Sequence, residues 1–137
     1  MPTILSIDDD PWVVETLKIA LADKGYEVIA APSAAEAEQE LSRRKIDLVL
    51  LDLGLPDKSG FALYRDCAAL KRLPVLFVSG CSRSFDADSE EFVALWTNEF
   101  LQGTTDILYK PFNLDTLYEK VEALIGDQEV TEREPAA

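Results

Sequence analysis

The 137-residue chain contains no histidine. That excludes imidazole acid–base chemistry and a phosphohistidine carried by the chain itself. Cysteine is nearly absent too: Cys67 and Cys81 are the only two, with no CxxC pair. Without histidine they make a zinc centre a poor reading, and small buried thiols in a reducing compartment are the ordinary one. Lys and Arg number 13 against 26 Asp and Glu, for a formal net charge of −13. A chain this short of cations is badly matched to a phosphate backbone, so no direct nucleic-acid binding is expected. The acidity suits divalent cations or basic partners, and as a bare surface it serves solubility. No apolar run reaches the length of a membrane span. "MPTILSIDDD" lacks the basic start and long apolar stretch of a signal peptide. The expected location is the cytoplasm, with no membrane partner.

What is present is a regular alternation. The length suits one domain, and 47% hydrophobic residues suffice for an ordinary core. "TILSI" (3–7), "YEVIAA" (26–31), "IDLVLLDL" (46–53), "PVLFVS" (74–79) and "DILYK" (106–110) read as strands. The near-continuous apolar run of the third suits burial on both faces. Residues 11–25 read as a helix with Pro11 at its first position and Gly25 at its end. Residues 33–44 read as a second helix, with Ser33 as N-cap and Glu36 completing a capping box. Residues 61–72 read as a third. Asp88 with Glu91 could open a fourth, running to Phe100. Residues 113–126 read as a last helix behind Asn113, followed by a frayed polar tail at 127–137.

Strands separated by helices imply a parallel sheet with right-handed crossovers. The fold expected is α/β, a doubly wound (βα)5 three-layer sandwich with strand order 2-1-3-4-5. In that order the first and third strands are neighbours whose helices leave on opposite faces. A crevice opens at their carboxyl ends, where ligands bind. The first strand ends at Asp8-Asp9-Asp10, the third at Asp52, the fourth at Ser79-Gly80 and the fifth at Lys110-Pro111. Crowded carboxylates raise each other's pKa unless a cation sits among them. An all-oxygen donor set suits a hard cation, and Mg²⁺ takes one or two carboxylates together with phosphate oxygens. One carboxylate could then act as a nucleophile toward a phosphoryl group, forming an aspartyl phosphate. Lys110 adds a mobile positive charge, and Ser79 a hydroxyl. Asp10, just before Pro11, is sufficiently explained as an N-cap. Asp57 and Lys58 read as ordinary turn residues. Trp12 reads as a helix-packing residue whose fluorescence would report a cation near Asp9.

"DDD" after the first strand, "LLDLGLPDKSG" around the third, "VLFVSG" at the fourth and "YKPF" after the fifth together resemble the receiver domain of bacterial response regulators. The resemblance spans roughly residues 3–125, with residues 1–126 as the domain. It implies that Asp52 accepts a phosphoryl group from a phosphohistidine on a histidine kinase or histidine phosphotransfer protein. It implies that Asp9 ligates Mg²⁺ directly, that Asp8 helps hold it, and that Asp52 and the Gly54 backbone carbonyl complete the protein ligands. Ser79 is implied as the switch hydroxyl. Lys110 is implied as the partner of the acyl phosphate, with a cis Lys110–Pro111 peptide.

The chain departs from that pattern in three places. Ile107 stands where the family commonly has a switch aromatic, Thr104 where a small residue is usual, and the stretch from Ser79 to Gly103 is long. Phe92, Trp96 and Phe100 recur at helical spacing and suit packing on the sheet. Exposed, they would make the fourth helix and fifth strand a surface for a partner or a second copy. The function expected is a phosphorylatable switch whose output is partner binding, not a metabolic enzyme. Three alternatives stand beside it: a receiver module from a hybrid histidine kinase or larger regulator, a Mg²⁺-dependent phosphatase with an aspartyl nucleophile, and a binding module with a vestigial site.

Overall fold

The aliphatic runs pair as strands, and the amphipathic stretches coil against them. The computed structural model describes residues 1–79, 105–109 and 112–133, with the backbone alone at 79, 105, 109 and 127–133. The strands are β1 (Thr3–Ile7), β2 (Glu27–Ala31), β3 (Leu48–Asp52), β4 (Val75–Ser79) and β5 (Thr105–Tyr109). They form one sheet in the order β2-β1-β3-β4-β5. Every neighbouring pair is parallel. The helices among the described residues are α1 (Pro11–Asp23), α2 (Ala34–Arg43), α3 (Gly60–Asp66), α4 (Ala68–Lys71) and α5 (Leu114–Arg133). The expected doubly wound order is the observed one.

Strand side chains alternate between faces, and that alternation divides the core. Leu5, Ile7, Leu51 and Phe77 pack with Ala34 and Ala37 of α2 and with Leu63 and Tyr64 of α3. Ile4, Leu50, Leu76 and Val78 pack with Leu17 and Leu21 of α1 and with Leu117 and Val121 of α5. The sheet is thus the middle of three layers. All five residues of β3 are buried, as a central strand covered on both faces requires.

The helix starts follow the capping logic. Asp10 Oδ1 accepts from the Trp12 N–H at 3.0 Å, with Pro11 at the first position. Ser33 Oγ accepts from the Glu36 N–H at 3.3 Å. Asn113 Oδ1 accepts from Asp115 and Thr116 at 2.7 and 3.2 Å. Gly25, with φ +90°, lies just past the end of α1, where a left-handed turn favours glycine.

Two helical expectations are corrected. The helix predicted over 61–72 is interrupted at Cys67, whose φ −104° and ψ 106° are extended, so α3 and α4 are separate. Cysteine is a weak helix former, and the apolar positions 63, 64, 67 and 70 keep helical spacing across the break. The last helix does not stop at Gly126 but runs to Arg133. Gly126 lacks the positive φ of a helix-ending glycine, and the residues after it are mostly compatible with a helix. The fourth helix expected over 88–100, with Phe92, Trp96 and Phe100, lies outside the described residues, as do Gly80, Cys81, Gly103 and Thr104.

Candidate functional site at the carboxyl edge

β1 runs apolar to Ile7 and then meets three aspartates whose jobs separate. The Asp8 N–H donates to the Ala31 carbonyl at 3.1 Å, carrying the β1–β2 ladder one step further. Asp8 Oδ1 accepts from the Asp10 N–H at 2.9 Å. Asp8 is buried and Asp9 exposed. Asp10 turns away to cap α1, as its position before proline predicts.

β3 lies beside β1 and delivers Asp52 to the same edge, buried to 8% exposure. Asp8, Asp9 and Asp52 can each offer one carboxylate oxygen so that the three oxygens lie within 4.8 Å of one another. Asp8 and Asp52 are 44 positions apart in sequence, and only the 2-1-3 strand order brings them together. Two of the three carboxylates are buried, where uncompensated negative charge is costly. An all-oxygen set of this kind fits a hard divalent cation such as Mg²⁺. Gly54 is exposed, two residues beyond Asp52 at the start of the β3–α3 loop.

Asp52 pairs with Val78 of β4, and Ser79 with Tyr109 of β5. The Ser79 backbone therefore stands at the same edge, one position beyond the partner of Asp52. Lys110 follows Tyr109 and lies outside the described residues, as does Pro111 and with it the expected cis peptide. Ile107, at the position the resemblance gives to a switch aromatic, is 8% exposed and packs into the cluster that includes Phe77 and Tyr64.

Several residues behave differently from their sequence reading, or had none. Trp12 is 82% exposed, so helix packing is not its role. It sits near the start of α1, where its side chain points away from both cores. Asp57 is not an ordinary turn residue. Its Oδ1 accepts from the Ala34 N–H at 3.0 Å and its Oδ2 from the Ala35 N–H at 3.1 Å, which ties the β3–α3 loop to the start of α2. These amides, Ala34 foremost, hold the Asp57 carboxyl below the ordinary carboxylate range. Gly60 was legible only as part of a motif. A Cβ there would press on the backbone at the end of β3. The local signal for Asp57 was no more than an acid after a proline, which suits a turn equally well.

Comparison with known proteins agrees with this fold. The family description "response regulator receiver domain" matches residues 4–122. The transcriptional regulatory protein KdpE of Mycobacterium tuberculosis is 33% identical over 125 residues, covering 91% of this chain and 51% of that protein. KdpE of Staphylococcus aureus is 32% identical, covering 88% of this chain and 48% of that protein. The chain thus spans about half the length of these curated relatives. Among solved structures, a CheY-like response regulator receiver domain protein from Methanospirillum hungatei superposes with a TM-score of 0.79 at 27% identity, covering 96% of this chain and 98% of that one. The non-phosphorylated HemR receiver domain from Leptospira biflexa gives 0.73 at 33% identity, covering 91% and 94%.

Proposed function

Since the chain belongs to the response regulator receiver family, we propose that it is a phosphorylatable switch in which Asp52 accepts a phosphoryl group from a phosphohistidine on a histidine kinase or histidine phosphotransfer protein. The observation that carries this reading is the convergence of Asp8, Asp9 and Asp52 to within 4.8 Å at the sheet edge. Asp9, Asp8, Asp52 and the Gly54 carbonyl would hold Mg²⁺. When bound, the cation supplies positive charge against the transferring phosphoryl group.

The chain's own groups divide the remaining work. An Asp52 carboxylate oxygen attacks phosphorus and forms an O–P bond. The N–P bond of the donor breaks, and its electron pair stays on the imidazole. Ser79, one position past the β4 residue that pairs with Asp52, is the hydroxyl assigned to a phosphoryl oxygen. Lys110 is the ammonium assigned to the acyl phosphate. Water attack on phosphorus later releases phosphate and restores Asp52. The protein is both acceptor and product, so this is signalling and not metabolic turnover.

Output is a change in partner binding. Ile107 replaces the aromatic, so the usual serine–aromatic coupling is altered, and a buried aliphatic has no swinging ring to expose. The net charge of −13 supports a protein partner over a direct contact of this chain with nucleic acid.

The test is intact-mass measurement after incubation with a small acyl-phosphate donor and Mg²⁺. The expected result is one added phosphate on the unmodified chain and none on Asp52→Asn. No uptake by the unmodified chain overturns the reading and leaves a binding module with a vestigial site. Continuous turnover of a small phosphate ester would instead point to the phosphatase alternative.

A further inference from the structure

The β3–α3 loop carries Gly54 and leaves the sheet edge with one apolar anchor, Leu55, buried in the core cluster beside Leu53 and Leu63, and few polar ones. Leu53 is fixed, because its N–H donates to the Val78 carbonyl at 3.2 Å and its own carbonyl accepts from the Gly60 N–H at 3.0 Å. Between those fixed ends, Gly54, Pro56 and Asp57 are exposed. Glycine has the widest backbone freedom of any residue, so the direction of the Gly54 carbonyl depends on how its neighbours in the loop are held. Among the described residues, the polar ties from residues 54–58 to other elements are few. They are the two Asp57 bonds to α2 and a longer Lys58–Asp66 approach at 3.9 Å.

The same two bonds matter to α2. The first N–H groups of a helix have no partner within it. Ser33 serves Glu36, and Asp57 serves Ala34 and Ala35. The α2 start is therefore capped from within by Ser33 and from the loop by Asp57.

We propose that Asp57 is a positioning residue for the cation site: by latching the β3–α3 loop onto α2 it holds the Gly54 carbonyl in place, and occupancy of the site is felt in return at the first turn of α2. The inference rests on the reading of Gly54 as a Mg²⁺ ligand. The return effect follows from linkage. If the latch favours cation binding, cation binding must favour the latch by the same factor.

Titration calorimetry with MgCl₂ alone, at physiological ionic strength, tests the first half on four proteins: the unmodified chain, Asp57→Ala, Asp57→Asn and Ser33→Ala. Asp57→Ala is expected to weaken Mg²⁺ binding by roughly 5-fold or more. Asp57→Asn keeps one acceptor oxygen and is expected to fall between. Ser33→Ala weakens the same helix start without touching the loop, and is expected to bind Mg²⁺ as the unmodified chain does. Amide exchange at Ala34 and Ala35 tests the second half: Mg²⁺ is expected to slow it in the unmodified chain and not in Asp57→Ala. Unaltered binding in Asp57→Ala overturns the proposal alone. An equal loss in Ser33→Ala would mean general weakening of α2. An equal loss in Asp57→Asn and Asp57→Ala, with no Mg²⁺ effect on exchange, would mean simple loss of charge. Either overturns the proposal. No Mg²⁺ binding by the unmodified chain overturns the cation site and the latch with it.

Discussion

Asp52 and Gly60 approach so closely that no side chain fits between their backbones. A Cβ added to Gly60 would stand 2.5 Å from the Asp52 carbonyl oxygen and 2.9 Å from the Leu53 Cα. These are backbone atoms at the end of the central strand, and they cannot swing aside as a flexible side chain would. Gly60→Ala is therefore expected to push the start of α3 away from β3. The cost, read as a change in urea midpoint, is about 1–3 kcal/mol, the range for overpacking. Phosphoryl uptake at Asp52 is expected to slow, since the strand end that carries the acceptor must shift. Uptake and stability both equal to those of the unmodified chain would show that the loop absorbs the methyl group.

Asp10 belongs to the helix and not to the cation. Its side chain caps α1 through the Trp12 N–H, while its tie to Asp8 uses its backbone N–H. Asp10→Ala deletes the first contact and keeps the second. The expected loss of stability is about 1 kcal/mol, with Mg²⁺ affinity nearly unchanged. A large drop in affinity, measured by calorimetry on the folded variant, would move Asp10 into the cation site.

What the sequence shows and what it hides follow the same physical division. Strand order, the burial of β3 and the meeting of Asp8 with Asp52 rest on periodicities repeated over many residues, and no single position decides them. The cap at Asp10 is legible because its partner is two residues away. Asp57 is not, because its partners are 22 and 23 residues away and nothing local marks them. Gly126 fails as a stop signal because a glycine ends a helix only when its backbone turns left-handed, and composition does not reveal φ. Trp12 adjoins the apolar residues of α1 in sequence but does not share their burial. Helix 1 carries apolar side chains on more than one face, so the periodicity left its exposure undecided. Gly60 is visible as a letter in a motif, yet its reason is a contact with backbone that only the folded strand supplies.

Ser6 offers a test of stability set apart from function. It is 1% exposed in β1, and its Oγ has no hydrogen-bond partner among the described residues. Its neighbours across the sheet are Ala30 and Leu50, which have no polar side chains. A buried hydroxyl without a partner bears a desolvation cost. Ser6→Ala is expected to leave stability unchanged or raise it by up to about 1 kcal/mol. A fall of that size in chemical denaturation would reveal a partner for the hydroxyl.

The Asp57 latch should also be visible as a pH dependence. Its carboxyl is held below the ordinary value of 3.8, chiefly by the Ala34 N–H and also by that of Ala35. A group whose folded pKa is depressed contributes stability that is present above the unfolded pKa. That contribution is lost as pH falls through the folded value. Asp66 is also depressed, mainly by its bond with Arg65, and titrates in the same acid range. It is common to both proteins compared, so it cancels in the difference. The comparison is between the unmodified chain and Asp57→Asn, which cannot titrate at position 57. Their difference in urea midpoint is expected to stay constant between about pH 7 and pH 5. It should shrink once the pH drops below the ordinary carboxylate value, because the protonated Asp57 and the amide then offer similar acceptors. A difference that persists undiminished in that acid range would mean that charge at position 57 is not what holds the loop to α2.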